Sequence, residues 1–254
     1  MAIKIKLFEF PTKEDMLPLL NESPLSGYLL EQRLFHRSDL DPMELLDYQI
    51  KLIEMISHLN NRIVQVNLSY AYVMYYFNRG IPDEVWLTSN NEGRTQYLPY
   101  LKDEHWTNKI HFEHHTDTLF QRAFTTLDLF AHILYQQFNL KRDVKSGREE
   151  DISFNRAIWK LKKQEVKLHE KLLRIKKSAR FEEAAQVRND IIHNQPPYRI
   201  HTRYQTCNGV NSAQIYYITS ARLRGIMKGI IGCIKDVFET VRLHLETNHD
   251  VRIN

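Results

Sequence analysis

The stretch DPMELLDYQIKLIEMISHLNNRIVQVNLSYAYVMYYFN, residues 41–78, has one proline, at its second position, and no glycine. Asp41 is a favoured helix N-cap residue, and Pro42 suits the first helical turn because its missing N–H is not needed there. Apolar residues then recur at steps of three and four, the spacing of one buried helix face. They are Leu45, Tyr48 or Gln49, Leu52, Met55 or Ile56, Leu59, Ile63, Val66, Tyr70 and Val73. The stretch predicts one long helix with a core-facing side.

The chain on both sides of this stretch has the same helical character. Only eight glycines occur in 254 residues, and long segments pass without glycine or proline, as helices prefer. Apolar spacing predicts further helices near residues 103–139, 153–177 and 220–247, and Ser178 can cap a continuation or a new helix to residue 194. Short alternating segments predict β pieces at residues 3–7 and 200–218, and residues 85–98 are expected to form a hairpin or a loop. The predicted fold class is all-α, an antiparallel bundle of long helices with short β pieces.

Two regions are expected within this bundle. A loop around Gly93, which is free to take a positive φ angle, marks the seam. We expect residues 1–101 to form an N-terminal region with one long helix, packed on the rest, and residues 102–254 to form a helical bundle.

Composition excludes several classes of protein. Hydrophobic residues make up 43% and charged residues 26% of the chain, which excludes a wholly disordered protein. Cys207 and Cys233 are too few for a disulfide framework or a cysteine zinc site, and no uncharged apolar run reaches the length of a membrane span. A cytoplasmic protein without membrane contact is therefore expected.

Histidines crowd the first half of the helix predicted from residue 103. Glu104, Asn108, His111, His115 and Arg122 fall on one helix face. The order His-x-Glu-His-His matches no established zinc pattern, so we expect no metal and no cofactor. The alternatives are a solvated or interfacial polar face and a face lining a nucleic-acid cleft, for which His111 and His115 are the candidates.

A basic stripe lies beside the buried stripe of the helix predicted from residue 153. It consists of Lys160, Lys163, Lys167, Lys171 and Arg174. A concentrated positive field of this kind suits the phosphate backbone of nucleic acid, and we take these residues as candidate RNA contacts. The alternative is an ordinary solvated lysine face.

The segment VRNDIIHN, residues 187–194, ends the basic region just before Pro196 and Pro197. These prolines stop the helix, so His193 is predicted at a helix end. Arg188 and His193 are five residues apart and diverge by about 140° on a straight helix. They can act together only if the last turn loosens or if a second molecule supplies the partner.

Arginine, a polar residue directly after it, and a histidine four to six positions further on resemble the motif of the HEPN superfamily. Arg188, Asn189 and His193 fit that pattern, within a helical region from Asp103 to Thr247. Arg242 and His249 also have the allowed spacing, but Leu243 follows that arginine and makes it the weaker match. The resemblance implies an all-helical homodimer in which two motifs meet, often a metal-independent endoribonuclease or a toxin with an antitoxin or regulatory partner. HEPN toxins inactivated by nucleotide transfer carry a tyrosine where this chain has Gln195, so that regulation is not expected.

The motif residues suit RNA cleavage by the RNA's own 2′-hydroxyl. His193 could transfer protons because imidazole titrates near neutrality, and Arg188 could bind two phosphate oxygens. Asn189 shares a face with His193 and could orient the imidazole or the substrate. Two alternatives stay open: a non-catalytic HEPN-like protein that binds RNA or nucleotide as a dimer, and side chains that only cap or salt-link a helix end.

Overall fold

The structure, a computed structural model, describes residues 10–89, 93–145, 147–207 and 210–253. Within them the helices are α1 (Lys13–Asn21), α2 (Pro42–Asn78), α3 (Asp103–Gln137), α4 (Phe154–Leu161), α5 (Val166–Lys176), α6 (Ala179–His193) and α7 (Ser220–Ile253). A 3₁₀ turn lies at Gln32–Leu34. These helices contain more than half of the residues, and the strands of the described chain occur only as short antiparallel pieces, which confirms the predicted mostly-α fold class.

Helix α2 begins and ends close to the predicted positions. Asp41 caps it, because the backbone N–H groups of Met43 and Glu44 each donate to Asp41 Oδ1 at 2.9 Å. At the other end Gly80 has a φ of +100°, which stops the helix. The buried face predicted from the sequence is present, with Leu52, Leu59, Val66, Tyr70 and Val73 almost fully buried.

The chain divides into two compact units that share the long helices. The first contains residues up to 23, 68–120 and 183–229, and the second contains 24–67, 121–182 and 230 onward. Large side chains fill each one: Tyr76 and Phe112 are buried in the first, and Phe130 packs on Phe238 in the second with ring centroids 4.8 Å apart. The predicted division at residue 101 stays a prediction.

The prediction of one continuous helix over residues 153–177 is wrong, because the structure has two helices there, α4 and α5. The N–H of Lys162 turns back to Trp159 O at 3.3 Å, so the carbonyl of Ile158 loses its helical donor. The buried ring of His169 forms a hydrogen bond with that carbonyl instead, with Nδ1 2.7 Å from Ile158 O. Ser178 then begins a new helix, since its hydroxyl accepts the N–H of Phe181 at 3.4 Å.

The strands form three small antiparallel hairpins. They pair β1 (Leu87–Ser89) with β2 (Thr95–Tyr97), β3 (Val144–Lys145) with β4 (Arg148–Glu149), and β5 (His201–Cys207) with β6 (Val210–Tyr216). In the last pair His201 lies opposite Tyr216. The strand predicted at residues 3–7 and the tight turn predicted at residues 208–209 lie outside the described residues.

In the described part of the chain, no helix combines the length and the hydropathy that crossing a membrane requires.

Candidate functional site

The C-terminal end of α6 carries the three motif residues. Val187 anchors the helix in the core of the first unit, Arg188 is half-buried, and Asn189 and His193 are exposed. The last turn stays helical, because the N–H of Asn194 donates to Asp190 O at 3.1 Å. Since this turn does not loosen, Arg188 and His193 remain on different sides of the helix, about 140° apart.

Asn189 contacts the arginine beside it. The Nη1 of Arg188 donates to Asn189 Oδ1 at 3.1 Å. This hydrogen bond uses the amide oxygen of Asn189 and orients the guanidinium group, whereas the sequence suggested the imidazole or the substrate as the partner. The two side chains form a polar unit one turn before the helix end.

Asp190 is the residue of this segment that sequence reasoning missed. Its carboxylate is buried, with 4% of the residue exposed, and three side chains donate to it. Gln186 and Asn194 each donate to Oδ1 at 3.1 Å, and Arg203 forms an ion pair with Oδ2 at 2.6 Å. The end of α6 is thereby fixed to strand β5.

Arg203 is held from several directions. Its guanidinium carbon lies 3.6 Å from the centre of the Tyr216 ring, a close cation–π contact. Its Nε donates to His201 Nε2 at 3.3 Å, and the other ring nitrogen, Nδ1, lies 2.8 Å from Arg199 O. Both contacts fit one tautomer of His201, in which Nδ1 donates to the carbonyl and Nε2 accepts from Arg203. The period-two alternation of a strand was the available signal, because it places His201 and Arg203 on one face of β5.

The chain between α6 and β5 is anchored to α3. The buried hydroxyl of Tyr198 donates to Asp117 Oδ1 at 2.5 Å, and the ammonium of Lys109 donates to Tyr198 O at 3.2 Å and pairs with Glu113. Burial raises the pKa of Asp117, although the Tyr198 hydrogen bond acts in the opposite direction. The two prolines thus end the helix and lead into a segment held by a buried polar network.

A second buried network fixes the chain after β6. Asp83 is fully buried, and its carboxylate accepts the Tyr217 hydroxyl at 2.5 Å. The same carboxylate accepts the backbone N–H of Ser220 at 2.9 Å and its hydroxyl at 2.8 Å. Because these bonds lie at the first residue of α7, Asp83 holds both the exit of the hairpin and the start of that helix.

The histidine-rich face of α3 packs against α2. His111 stacks on Tyr76 with ring centroids 4.5 Å apart, and His115 stacks on Tyr72 at 4.6 Å. Asn108 donates to Gly80 O at 3.1 Å, close to the end of α2. Burial, with a smaller effect of nearby His114, lowers the pKa of His111 and favours its neutral form. Within residues 10–89, 93–145, 147–207 and 210–253, no three His, Cys, Asp or Glu side chains group as metal ligands do.

The predicted basic stripe lies in the second unit and is divided by the break between α4 and α5. Lys160 pairs with Asp143 at 2.6 Å and with Glu150 at 3.1 Å, so its charge is balanced locally. The other four members are exposed: Lys163 in the turn, and Lys167, Lys171 and Arg174 on α5. These three fall at offsets of zero, four and seven, which keeps them on one face.

Arg242, the arginine of the weaker motif match, forms ion pairs with neighbouring glutamates. Arg242 pairs with Glu239 at 2.5 Å and with Glu246 at 3.1 Å, both on its own helix. The side chain of His249 lies outside the part of the chain that the structure describes.

Comparison with known proteins identifies one family. The model of the HEPN_Cthe2314-like HEPN family matches residues 56–246, well over half of the chain, including all of α6 and the Arg188–His193 motif. No curated protein and no solved structure matches the chain significantly.

Proposed function

We propose that this chain, which belongs to the HEPN_Cthe2314-like HEPN family, is a metal-independent endoribonuclease that uses Arg188, Asn189 and His193. Family membership points to a nuclease or RNA-related function. One observation supports ribonuclease activity at these three residues. The exposed His193 and the Arg188–Asn189 pair occupy the last two turns of a helix whose end is fixed by the buried Asp190. A rigid support for the reactive groups favours catalysis, because it preorganises the site before substrate binds.

The proposed reaction uses the nucleophile of the RNA itself. His193 takes the proton from a 2′-hydroxyl while that oxygen attacks the adjacent phosphorus, and the bond from phosphorus to the 5′-oxygen breaks. The leaving oxygen takes up a proton from water, and His193 then returns its own proton to the solvent, so the products are a 2′,3′-cyclic phosphate and a 5′-hydroxyl. Arg188 binds the phosphate oxygens as negative charge builds on them, because its planar group donates two parallel hydrogen bonds.

Asn189 orients the guanidinium group of Arg188 before substrate binds. Its amide oxygen accepts from Arg188 Nη1, so the arginine loses less rotational freedom when it binds phosphate. In this role Asn189 is a positioning residue.

We further propose that two copies of the chain complete each site. Arg188 and His193 lie about 140° apart on a regular helix, so one phosphate reaches both more easily when one group comes from a second molecule. A homodimer in which the ends of two α6 helices meet satisfies this requirement.

The exposed cations on and beside α5 are proposed to hold the RNA backbone. Lys163, Lys167, Lys171 and Arg174 are exposed, so they can neutralise phosphates at little desolvation cost. Lys160 contributes less than these four because Asp143 and Glu150 already balance its charge.

Site-directed variants test the proposal. With a fluorescent single-stranded RNA in excess EDTA, we expect His193→Ala and Arg188→Ala each to reduce cleavage at least about a hundredfold, the usual range for loss of acid–base catalysis. Gln195→Ala is the matched control, since Gln195 is exposed just beyond the helix and has no proposed role. Equal loss in all three variants, or unchanged cleavage in the first two, would contradict the assignment.

The rival is a non-catalytic HEPN-like protein that binds RNA or nucleotide as a dimer. The assay separates the two, because this rival binds the RNA in a salt-dependent way and leaves it intact. With a nuclease activity in the cytoplasm, a toxin or defence role and an antitoxin or regulatory partner are the accompanying proposals.

A further inference from the structure

Helix α2 is apolar on a second side that faces solvent. Five large apolar side chains are exposed on it between residues 43 and 64. They are Met43, Leu46, Ile50, Ile53 and Val64, and each is at least half exposed. Together with the exposed Ser57 and Asn61 they recur at steps of three and four, so all seven lie within about 40° of one line along the helix. We call these seven residues the outer face of α2.

The outer face is unlike an ordinary helix surface. A largely apolar stripe about 30 Å long on a solvent-facing helix, with Ser57 and Asn61 as its polar members, marks an interaction surface, whereas single exposed apolar residues are normal. The first four members lie before residue 56, where the match to the family begins. The stripe is therefore not explained by the motif or by the fold that the family shares.

The five members of the outer face from Ile50 to Val64 are placed symmetrically about Ser57. Ile53 and Asn61 lie four residues before and after it, and Ile50 and Val64 lie seven before and after it. When two copies of one helix pair antiparallel around a two-fold axis at Ser57, each residue before the centre faces one after it. Ile50 then packs on Val64 of the partner subunit, and the small Ser57 allows close approach at the axis.

Charges beside the outer face agree with the same arrangement. Glu54 and His58 are exposed on one flank, three residues before and one residue after Ser57. In the antiparallel pair Glu54 comes within about 3 Å, along the helix axis, of His58 of the partner subunit. An acidic group thus meets an imidazole, with no like charges opposed on this flank.

From these observations we propose that the outer face of α2 binds a second copy of this chain, as an antiparallel helix pair centred on Ser57. Specific protein contacts bury about 1,200 Å² or more in total, so the flanks of α2 are expected to be buried together with the two outer faces. The proposal does not rest on ribonuclease activity, and it concerns a surface separate from the Arg188–His193 motif. If both interfaces form, each copy binds two others and the solution species is at least a tetramer.

Molar mass in solution is the first test. We expect Ile53→Glu to halve the mass measured by light scattering after gel filtration, because a charge is buried at the centre of the pair. Leu243→Glu is the matched control, since Leu243 is 53% exposed on another helix and Ile53 is 50% exposed. A wild-type monomer at about 100 μM, or equal masses for wild type and a folded Ile53→Glu variant, overturns the proposal.

Cysteine cross-linking tests the register independently of any loss of folding. Facing Cα atoms at the axis of two close helices lie about 5 Å apart, which suits a disulfide, whereas copies of residue 61 lie about 12 Å apart along the axis. Mild oxidation is therefore expected to link Ser57→Cys into a covalent dimer and to leave Asn61→Cys unlinked. Wild type, which keeps Cys207 and Cys233, controls for the native thiols. Failure of Ser57→Cys to cross-link, or equal cross-linking of both variants, overturns the centre at Ser57.

Discussion

Removing the carboxylate of Asp190 should destabilise the protein by about 2–3 kcal/mol. Loss of one partner of a buried ion pair costs about 3–5 kcal/mol when the other charge stays buried. Here the side chain of Arg203 is 30% exposed, so it regains some water when its partner is lost and the expected cost is smaller. In Asp190→Ala the donors on Gln186 and Asn194 also lose their acceptor.

Graded variants and a double-mutant cycle make this estimate specific. Asp190→Asn keeps an oxygen for Gln186 and Asn194 but loses the charge that pairs with Arg203, so about 1–2 kcal/mol is expected. A cycle of Asp190→Ala with Arg203→Ala should give a coupling energy of about 1–2 kcal/mol. Urea denaturation followed by circular dichroism measures both, and Glu182→Ala, an exposed acid on the same helix, is the control at about 0.5 kcal/mol or less. A cost for Asp190→Ala below about 0.5 kcal/mol, or a coupling near zero, would refute the link between α6 and β5.

Three further predictions follow from other parts of the fold. Because burial raises the pKa of Asp117 above its usual 3.8, the folded state binds this proton more tightly than the unfolded state and loses stability as pH rises through the raised pKa. Asp117→Asn should therefore gain stability relative to wild type between pH 4 and pH 7 in urea denaturation. Gly80→Ala should lower stability by about 1–2 kcal/mol in thermal unfolding, because Gly80 has a φ of +100° and no steric clash contributes. Lys163→Glu with Lys167→Glu should weaken RNA binding and reduce the slope of log Kd against log salt by about 1.4 for single strands.

The fold class follows from the sequence because the helices have strong local determinants. The Asp41-Pro42 start and the long apolar stripe placed α2 within a residue or two of its ends. The break between α4 and α5 has no such local determinant, since no glycine or proline lies between Trp159 and His169. It depends on the buried His169 ring taking the Ile158 carbonyl, which is a tertiary contact. Apolar periodicity alone could not predict it.

The candidate site also has features that the sequence shows and features that depend on tertiary contacts. The spacing of Arg188, Asn189 and His193 is visible in the sequence, and so is the abrupt helix end before Pro196. The roles of Asp190 and Arg203 depend on a hairpin that folds back onto α6, and no local pattern reports that contact. For the histidines of α3, the sequence shows that they lie on one helix face. It does not show that His111 and His115 stack on Tyr76 and Tyr72. The outer face of α2 was hidden by the stronger core stripe on the same helix.

The chemistry of the cleaved end tests the central proposal most directly. We would incubate wild-type protein in EDTA with an RNA oligonucleotide and with a matched oligonucleotide that carries a single 2′-deoxy nucleotide at the mapped cleavage position. Mass spectrometry should find a 2′,3′-cyclic phosphate and a 5′-hydroxyl from the first and no cut at the deoxy position in the second, because the nucleophile is missing there. A cut at the deoxy position, a 5′-phosphate product, or RNA that is bound and left intact would contradict the proposed ribonuclease.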